Sequence, residues 1–439
     1  MGWTFPYQLL PSSALPGDAG LQIGGIPLSA LAAEHGTPVV VYDEEHLRQR
    51  CAEVMQAFPD GASYAGKALL CRAMARLVHE EGLGIDVASS GELAIAMAGG
   101  VPASALTLHG NNKSSAELDA AIAAGVGRIV IDSWDECDRV AALADGHGST
   151  CVVALRVNPG VAAATHRSVM TGHAASKFGV AIAGGDAAAL VARIQATARL
   201  ELTGIHVHAG SQITDLEPLG QAIAAAAAVA RDCGAADLIV GGGIGVAYTT
   251  GQRSTDIADW GAVAHRAARA SGFEGRILAE PGRTIAATAA ATVYTIGTIK
   301  RLAEGTILLA IDGGISDNPR PALYGSMYQP ILVDHPSIAE PALAGPYTVV
   351  GKNCESSDTF ARDIALPAAP RVGDLLCLPV TGAYTYSMAS NYNGLCRPAV
   401  VMVTQGRGRV IVRRESIDDL LRCDVVGLES HPGHHVPPS

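Results

Sequence analysis

Four short stretches combine reactive side chains with bare backbone. Ala65-Gly66-Lys67 sets a single amine after an apolar run. His206-Val207-His208-Ala209-Gly210-Ser211 sets two imidazoles and a hydroxyl after another. Gly241-Gly242-Gly243-Ile244-Gly245 is almost bare backbone, and Glu280-Pro281-Gly282-Arg283 joins an acid to a guanidinium. A lysine desolvated at the end of an apolar strand has a depressed pKa and readily forms a Schiff base. The glycine run with Ser211 and Arg283 offers N–H groups, a hydroxyl and a cation to a phosphate. Glu280 can pair with a heterocyclic nitrogen, and His208 can stack on a flat ring. An amine, a phosphate cup, a ring-nitrogen acid and a stacking face together describe a site for pyridoxal 5'-phosphate. Other chemistries fit less well. No acid follows the glycine run at the distance a dinucleotide site needs, and Gly110–Ser114 lacks the leading glycine spacing of a Walker loop. His206 and His208, two apart on a strand, share a face and could hold zinc. No second pair of ligands recurs at a neighbouring strand end, so no metal is expected.

These residues need a scaffold that brings strand ends together. From about residue 61 to 282 the chain repeats a short apolar run, a polar or glycine-rich turn and an alanine-rich helical stretch. The runs are 63–65, 85–88, 106–109, 128–132, 152–157, 202–208, 238–240 and 277–279, with helices expected at 91–98, 115–124 (capped by Ser115), 134–144, 185–197, 216–233 and 257–271. Strands alternating with helices mean a parallel sheet, and eight such units predict a closed (β/α)₈ barrel of TIM type. Such a barrel gathers functional residues at the carboxyl ends of its strands, where the other runs end in Asp86, Ser89–Glu92, His109–Lys113 and Arg156–Pro159. After about Thr284 short β-branched runs broken by Gly and Pro take over, at 292–299, 306–311, 347–350, 375–379, 399–404 and 410–413, predicting an antiparallel β domain. Strand-like pieces at 21–23 and 39–42 are expected to join it. The expected division is an N-terminal segment 1–45 belonging to the β domain, a cofactor-binding barrel 46–283, a C-terminal β domain 284–430 and a disordered tail 431–439.

Composition narrows the function classes. The 439 residues are 49% hydrophobic and 17% charged, which excludes a disordered or fibrous chain. A net charge of −11 argues against nucleic-acid and anionic-membrane partners. Ala222–Ala230 is too short to span a bilayer, and Met1–Ser13 has no cation ahead of an apolar core as a secretory signal would. Nine scattered cysteines fit a reduced protein. A cytoplasmic location is expected.

Taken in order, Tyr64–Ala68, His206–Ser211, Gly241–Gly245 and Glu280–Arg283 resemble the fold-type III pyridoxal-phosphate decarboxylases. Asn158–Gly160, Ser176–Gly179, Arg320–Tyr324, Cys354–Asp358 and Gly382–Asn393 resemble the diaminopimelate decarboxylase branch of that family, and the likeness runs from about Ile23 to Asp418. The resemblance implies decarboxylation of meso-2,6-diaminopimelate to L-lysine and CO₂, the last step of bacterial lysine synthesis. It implies that Lys67 carries the cofactor, that His208 stacks on its ring and that Glu280 holds the ring nitrogen protonated. Ser211, Gly242, Gly243, Gly282, Arg283 and Tyr384 would hold the phosphate. Arg283, Arg320, Tyr324, Glu355 and Tyr384 would bind the amino-acid substrate, and Cys354 would be a candidate proton donor. Cys354 and Glu355 are expected from the other subunit of a homodimer with shared active sites. Leu69 stands where many fold-type III enzymes carry Asn, and Met170–Ala175 falls in a variable loop. The alternatives are a sister decarboxylase of ornithine, arginine or carboxynorspermidine, and a non-catalytic binding relative. An acid where Arg320 stands would favour the first, and loss of Lys67 the second.

Overall fold

Each apolar run becomes one strand of a single parallel sheet in the computed structural model, which describes residues 5–161, 176–335 and 344–425. The strands are β1 (Ser63–Ala65), β2 (Gly84–Val87), β3 (Leu106–Leu108), β4 (Arg128–Ile131), β5 (Cys151–Asn158), β6 (Leu200–Val207), β7 (Asp237–Gly241) and β8 (Arg276–Glu280). They pair in sequence order, and a parallel bridge between Ala62 and Ala279 joins the last to the first. The barrel is therefore closed, as the count of eight units predicts. A two-residue strand, Val180–Ala181, adds a further pairing to β5.

Strand side chains alternate between faces, so one register sets both the barrel filling and the site. Val130, Ala154 and Ile239 form a buried cluster with Leu278 against it. Two residues further along the same strands come Asp132, Arg156, Gly241 and Glu280, one pleat nearer the carboxyl ends. At the opposite end the fully buried Asp237 pairs with Arg128 and accepts from Arg276 Nε at 2.8 Å. That buried ion cluster closes the floor, where conserving stability rather than chemistry is the usual role of barrel residues.

The outer helices follow the expected spans closely. Their ends shift by at most two residues, and one cap differs: Ser114, not Ser115, caps the helix Ser115–Ala124. Its hydroxyl accepts from Glu117 N–H, while the Glu117 carboxylate accepts from Ser114 N–H, a reciprocal pair that the Ser-x-x-Glu spacing selects. In Leu216–Asp232 the small residues Ala222, Ala226, Ala227 and Ala230 are wholly buried, which lets the helix lie close to Ile257–Ala270.

A second sheet packs beside the barrel mouth. Its centre is the long strand Ala290–Arg301, paired antiparallel with Ile307–Ile311, Leu375–Pro379 and Val39–Asp43. The sheet is mostly antiparallel, with two parallel pairs: Ile307–Ile311 with Ala344–Val350, and Val39–Asp43 with Ala399–Thr404. Two strands were not expected from sequence, Thr359–Leu366 and Ile331–Leu332. The first carries Arg362 and Asp363 in mid-strand, with Asp363 at φ 52°, so no β-branched run marks it. Leu21–Ile23 does not enter this sheet. It belongs to a separate three-stranded sheet, Leu15–Gly17, Gly20–Ile23 and Ile26–Pro27, whose Leu21 and Ile23 pack on Val41, Val293 and Val401. The loop 170–175 and the tail 431–439 lie outside the described residues.

Asp43 stitches the two parts together. It ends a strand of the second sheet and caps the helix Glu44–Ala57, its carboxylate accepting from Glu45 and His46 N–H at 3.0 and 3.2 Å and from Ser13 N–H at 3.2 Å. Asp43→Ala should cost about 1–2 kcal/mol in urea unfolding, and Asp43→Asn, which keeps an acceptor, should cost less. Equal losses in the two variants would show that capping is not what Asp43 supplies.

Candidate active site

The carboxyl ends of the strands enclose a cavity of about 240 Å³. Lys67, His208, Ser211, Gly242, Gly243, Glu280, Gly282, Arg283 and Tyr384 all line it. Lys67 sits on a short 3-10 turn, Gly66–Ala68, directly after β1. The desolvated lysine expected from sequence is not what the structure shows, because Lys67 is exposed and its amine reaches the open cavity. A larger groove of about 760 Å³ lies between the N-terminal segment and the helices Glu44–Ala57 and Ile257–Ala270. Its basic side chains are already engaged: Arg50 donates to Thr284 and Glu53, and the neutral His46 accepts from Ser12 N–H at Nδ1 and bonds Thr288 through Nε2.

Glu280 is the best-organised acid in the cavity. His206 Nε2 donates to its Oε2 at 2.8 Å, and His109 Nε2 lies 3.2 Å from its Oε1. Burial alone would raise the carboxyl, but the two imidazoles outweigh it and hold Glu280 well below the usual carboxylate range. Burial pushes His206 down to about 4, so it is a neutral donor at neutral pH. His208 is also pushed well down, by burial and then by Lys67 and Arg156, and it presents an uncharged ring. Among the described residues, the three metal-type donors that converge within 4.8 Å are His109, His206 and Glu280, not the His206–His208 pair weighed from sequence. His206 Nε2 is committed to a carboxylate, which suits an acid poised for a ring nitrogen.

The other end of the cavity is shaped for an anion. A Cβ on Gly241 would stand 2.4 Å from His208 Nδ1, and one on Gly243, at φ 108°, would stand 2.0 Å from Gly210 O. Only bare backbone lets this turn close against the His208–Ser211 segment. Arg283 Nη2 donates to Ser211 Oγ at 3.2 Å and Nη1 to Tyr248 Oη at 2.7 Å, while its buried Nε has no hydrogen-bond partner. Its guanidinium lies 4.5 Å over the Tyr384 ring. Tyr384 is held at φ 58°, a conformation that costs a non-glycine residue about 1 kcal/mol. Its N–H donates to Ala68 O at 2.9 Å, so the second domain is pinned beside Lys67. Amine, ring acid, neutral imidazole and phosphate cradle thus meet in one cavity, and the residues fit pyridoxal phosphate.

Four predicted residues stand outside the cavity. Arg320 is buried behind it, stacked 4.6 Å over Tyr248 and 5.7 Å over Tyr324. It donates to Ser326 Oγ at 3.1 Å, but its Nε and Nη1 are buried without hydrogen-bond partners. Cys354 and Glu355 are exposed on a turn of the second domain, where Cys354 N–H donates to Asn393 Oδ1 at 2.9 Å. Sequence reasoning assigned no role to Tyr248, which sits between two guanidiniums, nor to Asp86, His109, Arg156 and Phe178, which line the cavity. The strand register could have found Asp86, His109 and Arg156, because each ends an inward-facing row. Phe178, stacked under Arg156 at 4.4 Å, carries no such signal.

A lysine and a buried, ionised acid sharing the mouth of a (β/α)₈ barrel, beside a glycine-built turn, fit a barrel-type pyridoxal enzyme. The family model for the pyridoxal binding domain of pyridoxal-dependent decarboxylases matches residues 44–287. The chain is 42% identical to a diaminopimelate decarboxylase of Actinosynnema pretiosum subsp. auranticum, over 95% of this chain and 99% of that protein. It is 38% identical to one of Staphylococcus aureus, over 92% and 97%. The crystal structure of diaminopimelate decarboxylase from M. jannaschii in co-complex with L-lysine superimposes with a TM-score of 0.88 at 29% identity, covering 95% of this chain and 98% of that one. The chain belongs to the diaminopimelate decarboxylase family within the pyridoxal-dependent decarboxylases, and its cofactor is pyridoxal 5'-phosphate.

Gly243→Ala must displace the Gly210 carbonyl or the glycine turn itself. Its cofactor dissociation constant should rise at least about tenfold, equal to roughly 1.4 kcal/mol, in an absorbance titration of the stripped protein. Unchanged affinity would show that the cradle does not hold the phosphate.

Proposed function

We propose that the protein releases CO₂ from meso-2,6-diaminopimelate to give L-lysine, the closing step of lysine synthesis. The observation that carries this reading is Arg320: a guanidinium 3% exposed, stacked between tyrosines and held near the Tyr328 hydroxyl, with no carboxylate paired to it and two nitrogens, Nε and Nη1, short of well-formed hydrogen bonds. Burying such donors is costly unless an anion arrives to use them. A decarboxylase of ornithine or arginine has no distal carboxylate to offer, whereas diaminopimelate does.

When bound, the cofactor would supply a carbonyl carbon for Lys67 and a ring that accepts the electron pair left on Cα as CO₂ departs. The chain supplies everything else. Lys67 offers its amine at the cavity mouth, and Glu280 keeps a proton opposite its Oε1. His208 offers a neutral face to the ring. Ser211, Gly242, Gly243, Gly282, Arg283 and Tyr384 hold the phosphate. Arg283, Arg320, Tyr324 and Tyr384 orient the substrate, and Glu355 reads its distal ammonium. Cys354 delivers a proton to Cα. Because Cys354 and Glu355 are exposed and do not line their own cavity, we assign them to the site of a second copy in a homodimer. The division into 1–45, 46–283, 284–430 and a tail 431–439 belongs to the same reading, as does a cytoplasmic location. Among the described residues no helix is long and apolar enough to cross a membrane.

CO₂ release measured from meso-diaminopimelate, ornithine and arginine tests the assignment. Turnover should be confined to the first, and preference for either of the others would overturn it. Arg320→Ala should lower kcat/KM for meso-diaminopimelate roughly ten- to a hundredfold, the worth of one charge-assisted contact of about 1.5–3 kcal/mol, while leaving cofactor absorbance intact. Inactive Lys67→Ala and Cys354→Ala homodimers, once mixed and exchanged, should regain part of the activity. No recovery after verified exchange would place Cys354 in its own subunit's site or outside catalysis.

A further inference from the structure

His109 occupies a position that the reaction scheme above does not use. It follows β3 and points into the same layer as Glu280, on the side of the carboxylate that His206 leaves free. Its Nε2 lies 3.2 Å from Glu280 Oε1 and 3.6 Å from Asp86 Oδ1. Neither contact is aligned as a hydrogen bond, and both His109 Nε2 and Asp86 Oδ1 are buried without such a partner. The backbone under the ring is fixed. His109 N–H donates to Val87 O at 2.8 Å. Lys113, almost wholly buried, donates to Gly110 O at 2.7 Å, to Val130 O at 2.6 Å and to Glu136 at 2.8 Å. A small turn of the imidazole therefore suffices to exchange one carboxylate for the other.

We propose that His109 and Asp86 are positioning residues that form a counter-ion relay for Glu280: His109 neutralises the free oxygen of Glu280 until a ring nitrogen docks there, and then turns its Nε2–H to Asp86. The inference rests on the reading of Glu280 as the ring-nitrogen acid. Its physical basis is charge balance in a buried layer. Two carboxylates facing one imidazolium cannot both be fully neutralised. Burial, and then the charge of Glu280, push Asp86 up to about 7. Burial would lower His109, but Glu280 and Asp86 outweigh it and raise it to about 9. Lys67, on the turn after β1, and Arg156 on β5 bring positive charge to this layer, while Glu92, in the first turn of the helix Ser90–Ala98, and Asp132, just after β4, bring negative charge. His206 and His208 on β6 stay neutral. When a protonated ring nitrogen takes Glu280 Oε1, two cations face one carboxylate. His109 then turns to Asp86, and Asp86 gives its proton to cavity water. Before docking Asp86 holds that proton up to about pH 7, and after docking it ionises at lower pH. Docking is thus strengthened as pH rises towards 7 and gains nothing further above it, by about tenfold for each unit that the Asp86 pKa falls.

The probe is pyridoxine 5'-phosphate, which keeps the ring nitrogen and phosphate but has no carbonyl for Lys67. Its dissociation constant is measured for the full-length chain stripped of cofactor, from about pH 5.5 to pH 8. Dividing each variant's constant by the wild-type value at the same pH cancels the titration of the probe. For Asp86→Asn, which mimics the protonated acid, the ratio should be near one at the acid end and rise to about tenfold at pH 8. In a His109→Phe background, adding Asp86→Asn should produce no such rise. A ratio flat across pH, or the same rise in the His109→Phe background, overturns the relay. Glu280→Gln separates the two claims. Weakened binding of the probe with a flat Asp86→Asn ratio sinks the relay alone, whereas unchanged binding in Glu280→Gln sinks the ring-nitrogen reading beneath it.

Discussion

The Glu280 carboxylate, held ionised inside the barrel by imidazoles, is the interaction on which the rest of the site depends. An isolated buried carboxylate would take up a proton. Glu280 stays an anion because His206 donates to one oxygen and His109 faces the other. An anion fixed at that depth can keep a ring nitrogen cationic, and a cationic ring can accept an electron pair. The barrel register makes this possible: Glu280 is two residues beyond Leu278, so the acid sits one pleat above the barrel's apolar filling.

The second domain completes the cavity rather than merely adjoining it. Tyr384 and Ser387 both bond Ala68 O, the carbonyl next to Lys67, and the strained Tyr384 backbone turns its ring beneath Arg283. Arg283 in turn reaches Tyr248, on whose ring Arg320 lies. A continuous path of contacts therefore runs from the lysine through the anion cradle to the distal guanidinium, crossing the boundary between the two folds. Tyr248 thus stands between the two guanidiniums.

Much of this was legible in the chain itself. All eight barrel strands were visible as apolar runs, because a strand covered on both faces reads as continuous hydrophobicity. The residues that line the cavity were visible because bare glycines, a lone lysine and an acid–guanidinium pair stand at run ends. What escaped notice depended on contacts between distant segments. Thr359–Leu366 hides behind a charged pair at its centre. His109 and Asp86 were seen as run ends, but nothing local tells that they meet at Glu280. The exposure of Lys67 has no sequence signal, because an apolar strand before a residue says nothing about the space in front of it. Capping by Ser114 rather than Ser115 was a matter of one residue, decided by the reach of Glu117.

The most direct test of the account is the ¹⁵N chemical shift of the ring nitrogen in holoenzyme rebuilt with ¹⁵N-labelled cofactor, recorded in mildly alkaline solution for the wild type and for Glu280→Gln. The account predicts a pyridinium shift in the wild type and a neutral pyridine shift in the variant. A neutral nitrogen in the wild type, or a pyridinium that survives the substitution, would contradict it.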